Sequence, residues 1–276
     1  MTRPRPVDPS APRDIAELHA LGERQPDLAA AANLHAELAT LVRRVESRLT
    51  TPTLDVPTEL LQARLARGVP LASFGEFTVD WSEVRLLIRL VTDVFRRVDL
   101  LDHDAVARLY AAGREAGLPD RARAWYEHPG GLTETQPDEP DPMWSDVLQW
   151  ALKPFLRRTA DVLAARVPFD AWRQGRCPVC AAEPEFGVIT STGGLLLLCG
   201  RCHARWPFDE GCAFCASGAS ARIRTLATPD RTYRVRRCDD CERYLKVLDT
   251  QAAGRPLLPF YDPVATLPLD AAMMRR

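Results

Sequence analysis

The chain has 276 residues, 46% of them hydrophobic and 26% charged, with a formal net charge of −1. That is enough apolar material to bury the core of one large domain or two modest ones, which excludes a disordered chain. Near-neutrality argues against a general binder of nucleic acid or membrane surfaces.

Residues 1–12 are proline-rich and polar and predict a loose N-terminal arm. They lack the apolar stretch of a signal peptide, and the longest leucine run, Leu195–Leu198, is far too short for a membrane span. A soluble, cytoplasmic protein without membrane contact is expected. Asp14 to Leu21 predicts a short helix ending at Gly22. Pro26 then opens a longer one, with Leu34, Leu38, Leu41, Val42, Val45 and Leu49 on one face and Pro52 as its stop. His35 sits beside that face and reads as a packed histidine. Thr58 to Arg67 predicts a third helix, ended by Gly68. Asp80 is a good N-cap, with Glu83 placed to close a capping box. The helix behind it carries the clearest stripe in the chain: Val84, Leu87, Ile88, Val91, Val94, Phe95 and Val98. Leu101 to Ala116 predicts a further helix, ended by Gly117 with Pro119 behind it.

Residues 129–142 form an acidic, proline-rich connector. Met143 to Val167 returns to helical spacing, with Trp144, Val147, Leu148, Ala151, Leu152 and Phe155 along one side and Pro154 expected to kink or split it. No Gly-rich phosphate loop, His-Glu-x-x-His or Gly-x-Ser-x-Gly motif is present, and the histidines at 19, 35, 103, 128 and 203 are scattered. No catalytic residue and no enzyme activity is expected.

The cysteines carry the chemistry. All eight lie in four Cys-x-x-Cys pairs: Cys177/Cys180, Cys199/Cys202, Cys212/Cys215 and Cys238/Cys241. One such pair is weak evidence, since redox dithiols share the format. Four within one short segment predict two four-thiolate metal sites, of a kind that suits zinc or iron. The gaps indicate the partners. Residues 181–198 read as strand, Ser191–Gly194 turn and strand, and residues 216–237 repeat the plan around Thr228–Arg231. Cys177, Cys180, Cys199 and Cys202 are therefore grouped as one site, and Cys212, Cys215, Cys238 and Cys241 as the other, with an interleaved pairing as the alternative. His203 reads as a surface histidine beside a complete site. The fold class expected is α+β and multidomain. It comprises an arm (1–12), an all-helical domain (13–170), two tandem rubredoxin-like or zinc-ribbon units (171–210 and 211–250), and a tail (251–276) that packs back on the body.

These features resemble the formate dehydrogenase accessory protein family, FdhE. The resemblance rests on Arg176-Cys177-Pro178-Val179-Cys180, on Leu198-Cys199-Gly200-Arg201-Cys202 with Trp206 after it, and on Cys212-Ala213-Phe214-Cys215. It continues through Arg237-Cys238-Asp239-Asp240-Cys241 with Tyr244-Leu245-Lys246, and through the tail Asp262 to Asp270. Arg67–Leu71 and Asp80-Trp81 are similar upstream. It implies a cytoplasmic maturation helper that binds the catalytic subunit of a formate dehydrogenase, holds two metals and catalyses nothing itself. Self-association is left open. The family favours glycine after the second cysteine of a knuckle, where this chain has Ala181 and Ala216. Two other readings compete. Arg222, Arg224, Arg231, Arg234, Arg236 and Arg237 with Tyr233 resemble a nucleic-acid patch, although acidic neighbours make nucleic acid an unfavoured partner. An iron-loaded site would suit a one-electron carrier.

Overall fold

The computed structural model describes residues 11–128, 141–218 and 222–275. Most of the expected arm and of the acidic connector lies outside these residues. Helices α1 (Ala11–Arg24) and α2 (Ala29–Glu46), joined by a 3-10 turn over Pro26–Leu28, pack against each other. α1 runs through Gly22 rather than ending there. A Cβ at that position would stand 3.4 Å from Ala29 Cα, so the glycine serves the close crossing to α2. Ala32, Ala36 and Ala39 are buried with Leu18 and Leu21, which makes the alanines of α2 a packing surface as well as helix formers.

α3 (Thr58–Ala66) follows, then α4 (Trp81–Arg97) and α5 (His103–Arg114). Asp80 caps α4 by accepting from Ser82 N (2.9 Å) and Glu83 N (3.3 Å). The Glu83 carboxylate accepts from Arg48. The α4 stripe is buried from Val84 to Phe95, each large side chain contributing roughly 1.5–3 kcal/mol. A helix that the periodicity does not signal, α6 (Leu118–Glu127), comes next. Pro119 lies in its first turn, where the missing N–H costs nothing, instead of standing behind the end of α5. α7 (Trp144–Arg166) packs on α2 and α4 and continues as one helix across the buried Pro154. It is buried on most of its circumference, including Lys153, Arg158 and Thr159.

The second half, among the described residues, is one six-stranded sheet of order β3-β2-β1-β6-β5-β4. The strands are β1 (Pro184–Ile189), β2 (Leu195–Cys199), β3 (Arg205–Phe208), β4 (Ile223–Ala227), β5 (Tyr233–Cys238) and β6 (Tyr244–Asp249). The two predicted hairpins are β1–β2 and β4–β5, both antiparallel. β3 and β6, one after each even-numbered knuckle, are additional. β1 and β6 pair in parallel, Gly187 opposite Val247, and this joins the two units edge to edge. A Cβ on Gly187 would stand 3.0 Å from Val247 Cγ2 and 3.2 Å from a methyl of Leu195 and of Leu245, so a larger residue at this junction would have to push those side chains aside.

One apolar core runs from α4, α6 and α7 into the first ribbon, through Trp125, Tyr126, Trp172, Cys177, Cys180 and Trp206. The tail contains α8 (Thr250–Ala253), α9 (Asp262–Ala265) and α10 (Leu267–Met274). Phe260 and Val264 are buried against α1 and α2, and Leu257 against Phe186, Leu198 and Leu248 of the sheet. No described helix is long and apolar enough to cross a membrane.

Candidate metal centre

Each Cys-x-x-Cys pair is a knuckle with the same backbone. The N–H of its first cysteine donates to the carbonyl five residues on: Cys177 to Ala182, Cys199 to Ala204, Cys212 to Ser217 and Cys238 to Arg243. The residue after the second cysteine is left-handed in all four, with φ of 59° at Ala181, 55° at His203, 58° at Ala216 and 61° at Glu242. Three of the first sulfurs accept an N–H from two residues on, at 3.4 Å: Val179 to Cys177, Phe214 to Cys212 and Asp240 to Cys238. These bonds point the sulfurs inward and favour the thiolate. The alanines at 181 and 216 do not shift the turn; they adopt a conformation that costs an L-residue about 1–2 kcal/mol. Ala181→Gly should therefore stabilise the protein by about 0.5–1 kcal/mol, after the extra unfolded-state freedom of glycine, and raise the urea midpoint without changing metal content.

The knuckles meet in the grouping expected from the gaps, Cys177, Cys180, Cys199 and Cys202 in one set and Cys212, Cys215, Cys238 and Cys241 in the other. In the first, the sulfurs of Cys177 and Cys202 are 3.5 Å apart, Cys180 and Cys199 3.5 Å, and Cys180 and Cys202 3.8 Å. In the second, Cys212 and Cys241 are 3.6 Å apart and Cys215 and Cys238 3.8 Å. These are far longer than a disulfide, ~2.05 Å. They match the edge of a tetrahedron built on ~2.3 Å metal–sulfur bonds, roughly 3.8 Å. Both groups could hold a metal ion by spacing and by donor chemistry.

The electrostatics agree with that fit. Burial pushes the Cys177 and Cys202 thiols well above their usual range. Burial opposes ionisation of Cys199 too, but hydrogen bonds from the neighbouring thiols and the Cys202 N–H overcome it and hold this sulfur low. In the second set the Cys241 and Asp240 N–H groups hold Cys238 down, while burial pushes Cys241 up to about 12. A central cation is what lets all four sulfurs of a set ionise.

The first site is clamped by the helices. Leu71 N and Ala72 N donate to the carbonyls of Pro178 and Val179 in the first knuckle, at 2.8 and 3.2 Å. Arg201, in the second knuckle, stacks on Trp125 at 3.9 Å and donates to the carbonyls of Trp125 and Tyr126 at the end of α6. Lys153 of α7 is 3% exposed, and its Nζ donates to the Gly200 carbonyl between Cys199 and Cys202. Burial lowers the Lys153 pKa, and the charges of Glu185 and of the Cys199 and Cys202 sulfurs work against that. Nothing in the spacing of α7 marks Lys153, which follows Leu152 on an otherwise apolar turn. Lys153→Met should leave the Gly200 carbonyl unpaired at a cost of about 1–3 kcal/mol. It should also speed metal loss from the first site, read by chelator competition. His203 is not a surface residue. Its ring is half-buried, 5.0 Å from the Phe260 ring, with Nε2 3.3 Å from Lys153 Nζ, and it stands outside the four-sulfur group.

The ribbons are bound to each other as well. Arg243 of the second makes a bidentate pair with Glu183 of the first, at 2.8 and 2.6 Å, and stacks on Phe214. The arginines that read as a basic patch are largely neutralised. Arg222 pairs with Asp240 (2.6 Å), Arg224 with Asp239 (2.9 Å), Arg234 with Asp249 (2.5 Å) and Arg237 with Glu242 (3.9 Å).

No family model matches the chain. It is similar to the curated Protein FdhE homolog of Actinobacillus pleuropneumoniae serotype 7, at 27% identity over 208 residues, 71% of this chain and 63% of that protein. It thus spans less than two thirds of that relative's length. It is 30% identical to Protein FdhE of Escherichia coli over 113 residues, 40% of this chain and 36% of that one. The crystal structure of the FdhE protein from Pseudomonas aeruginosa superposes with a TM-score of 0.68 at 20% identity, covering 99% of this chain and 93% of that one, which is a shared fold.

Proposed function

We propose, starting from the FdhE family that the curated relatives and the shared fold support, that this chain is a non-catalytic helper of formate dehydrogenase maturation. In this reading it works in the cytoplasm and binds the enzyme's catalytic subunit. The eight cysteines are metal ligands, four to each of two zinc or iron ions, and the metals staple the ribbons into a rigid platform that a client can recognise. The observation that carries the reading is the pair of four-sulfur groups at tetrahedral spacing within a single sheet. A closed four-thiolate site keeps no open coordination position for a substrate, so its contribution is stability and shape. The acid-paired arginines on and beside β4 and β5 weigh against nucleic acid as the partner.

The test is capture from native extract by the purified, metal-loaded chain, with elemental analysis of the same sample. The expected result is the catalytic subunit of a molybdenum- or tungsten-containing formate dehydrogenase on the column and two metal equivalents per chain. Normal formate oxidation in a strain lacking the gene would sink the maturation role. A red protein with thiolate-to-iron absorption would move the reading toward electron transfer, whereas a colourless one with two zincs removes that alternative.

A further inference from the structure

The two ribbons are copies of one plan: knuckle, strand, strand, knuckle, strand. β4 is the counterpart of β1, β5 of β2 and β6 of β3. Their places in the sheet are not equivalent. The outer edge of β1 receives β6 in parallel, with Gly187, Val188 and Ile189 opposite Val247, Leu248 and Asp249. The outer edge of β4, the same edge of the second copy, pairs with no strand among the described residues.

The register tells which groups that edge presents. Asp239 N donates to the Arg222 carbonyl, and Thr228 N to the Tyr233 carbonyl. In an antiparallel ladder these two bonds make Ile223–Cys238 a non-hydrogen-bonded pair and Thr228–Tyr233 a hydrogen-bonded one. Arg224 and Leu226 therefore turn their backbone groups toward β5. Ile223, Thr225 and Ala227 turn theirs outward. Arg224, Thr225, Leu226 and Ala227 are all exposed, Leu226 at 42%. The opposite end of the sheet is protected, because β3 carries Pro207, which has no N–H to offer. β4 has no proline. On the face shared by Ile223 and Thr225 lies a cleft of about 740 Å³, also lined by Leu195, Phe208, Arg234 and Arg236.

We propose that the β4 edge is the client-docking edge, and that it takes an extended segment of the client polypeptide as a seventh strand, parallel to β4. The internal repeat is the template, since β6 already occupies the corresponding edge of β1. Alternate side chains of the incoming strand enter the cleft beside Thr225. A second copy of this chain could offer only its own β4, because Pro207 blocks β3, whereas the repeat places a strand of different sequence, β6, on the corresponding edge. This inference rests on the reading of the chain as a binder of the formate dehydrogenase catalytic subunit.

The test compares wild type with Thr225→Pro, both metal-loaded, for capture of that subunit, and follows amide exchange of wild type with and without it. Proline at 225 removes an outward N–H and no bond of the β4–β5 ladder. About tenfold weaker capture is expected, the effect of one or two main-chain hydrogen bonds. The amides of Ile223, Thr225 and Ala227 should exchange roughly tenfold more slowly in the complex, with those of Arg224 and Leu226 little changed. Metal content and circular dichroism check the variant's fold, and the exchange result on wild type stands without the variant. Equal capture with no slowing at 223, 225 and 227 overturns the edge assignment alone. A wild-type chain that captures nothing overturns it together with the functional reading. Concentration-dependent oligomers abolished by Thr225→Pro would make the occupant a second copy and overturn the client strand.

Discussion

A chelator added to the metal-loaded protein should take one metal quickly and the other only as the protein unfolds. Cys177 and Cys199 are 0% exposed and Cys180 and Cys202 2%, and all four belong to the core shared with α4, α6 and α7. Reaching them means opening that core, which costs on the order of the global stability, ~5–15 kcal/mol. In the second set Cys215 is exposed and Cys241 half-buried, so a chelator or an alkylating reagent reaches these sulfurs from the native state. The expected course is a fast fall from two equivalents to one with far-UV dichroism kept, then a slow loss that tracks unfolding. Cys215 should be the first thiol labelled. Serine at Cys199 should be correspondingly severe, giving insoluble or unfolded chain, whereas serine at Cys215 should leave the helices and the first site intact. Loss of both metals in one phase would mean the second site is as deeply anchored as the first.

Asp262→Ala should destabilise the protein by about 3–5 kcal/mol, among the largest effects of any change outside the cysteines. Asp262 is 0% exposed and accepts four hydrogen bonds: from Arg255 Nη1 (3.0 Å) and Nη2 (2.6 Å), from the Tyr233 hydroxyl (2.7 Å) and from Leu258 N (2.7 Å). It ties the tail to β5 and sets the approach of Phe260 to α1 and α2. Burial, followed by the charge of Asp262, pushes the Tyr233 hydroxyl far above its usual range, so it stays a donor. Without the carboxylate, Arg255 is left as a largely buried, unpaired cation, its side chain only 14% exposed. Urea unfolding checks the loss. The double variant Arg255→Met/Asp262→Leu should recover much of it, because removing both charges removes the unpaired one. A single-variant loss under 1 kcal/mol would show that the tail does not depend on this pair.

The elements that were legible are those whose signal is local. The α4 stripe, the Asp80 cap and the two hairpins follow from spacing within one helix or one turn. α6 was hidden because Pro119, read as a stop, is equally at home in a first helical turn. β3 is four residues long and contains Pro207, and β6 follows its knuckle without a turn of its own. Three arginines of the second hairpin read as a patch because their acidic partners lie in the fourth knuckle and at the end of β6, 15 to 18 residues away.

By itself, then, the sequence determined the eight cysteines, their four Cys-x-x-Cys pairs and the order of helices followed by ribbons, and its gap lengths favoured the two sets over an interleaved pairing. A Cys-x-x-Cys turn and a hairpin bring their own residues together through short-range backbone geometry. Only the tertiary structure decided that β1 and β6 join the ribbons into one sheet, that Lys153 and Arg201 clamp the first site to the helices, and that the second site and the β4 edge face outward. Those outcomes depend on residues about 50 to 75 positions apart finding one another, and no periodicity in the chain encodes which distant surface covers which.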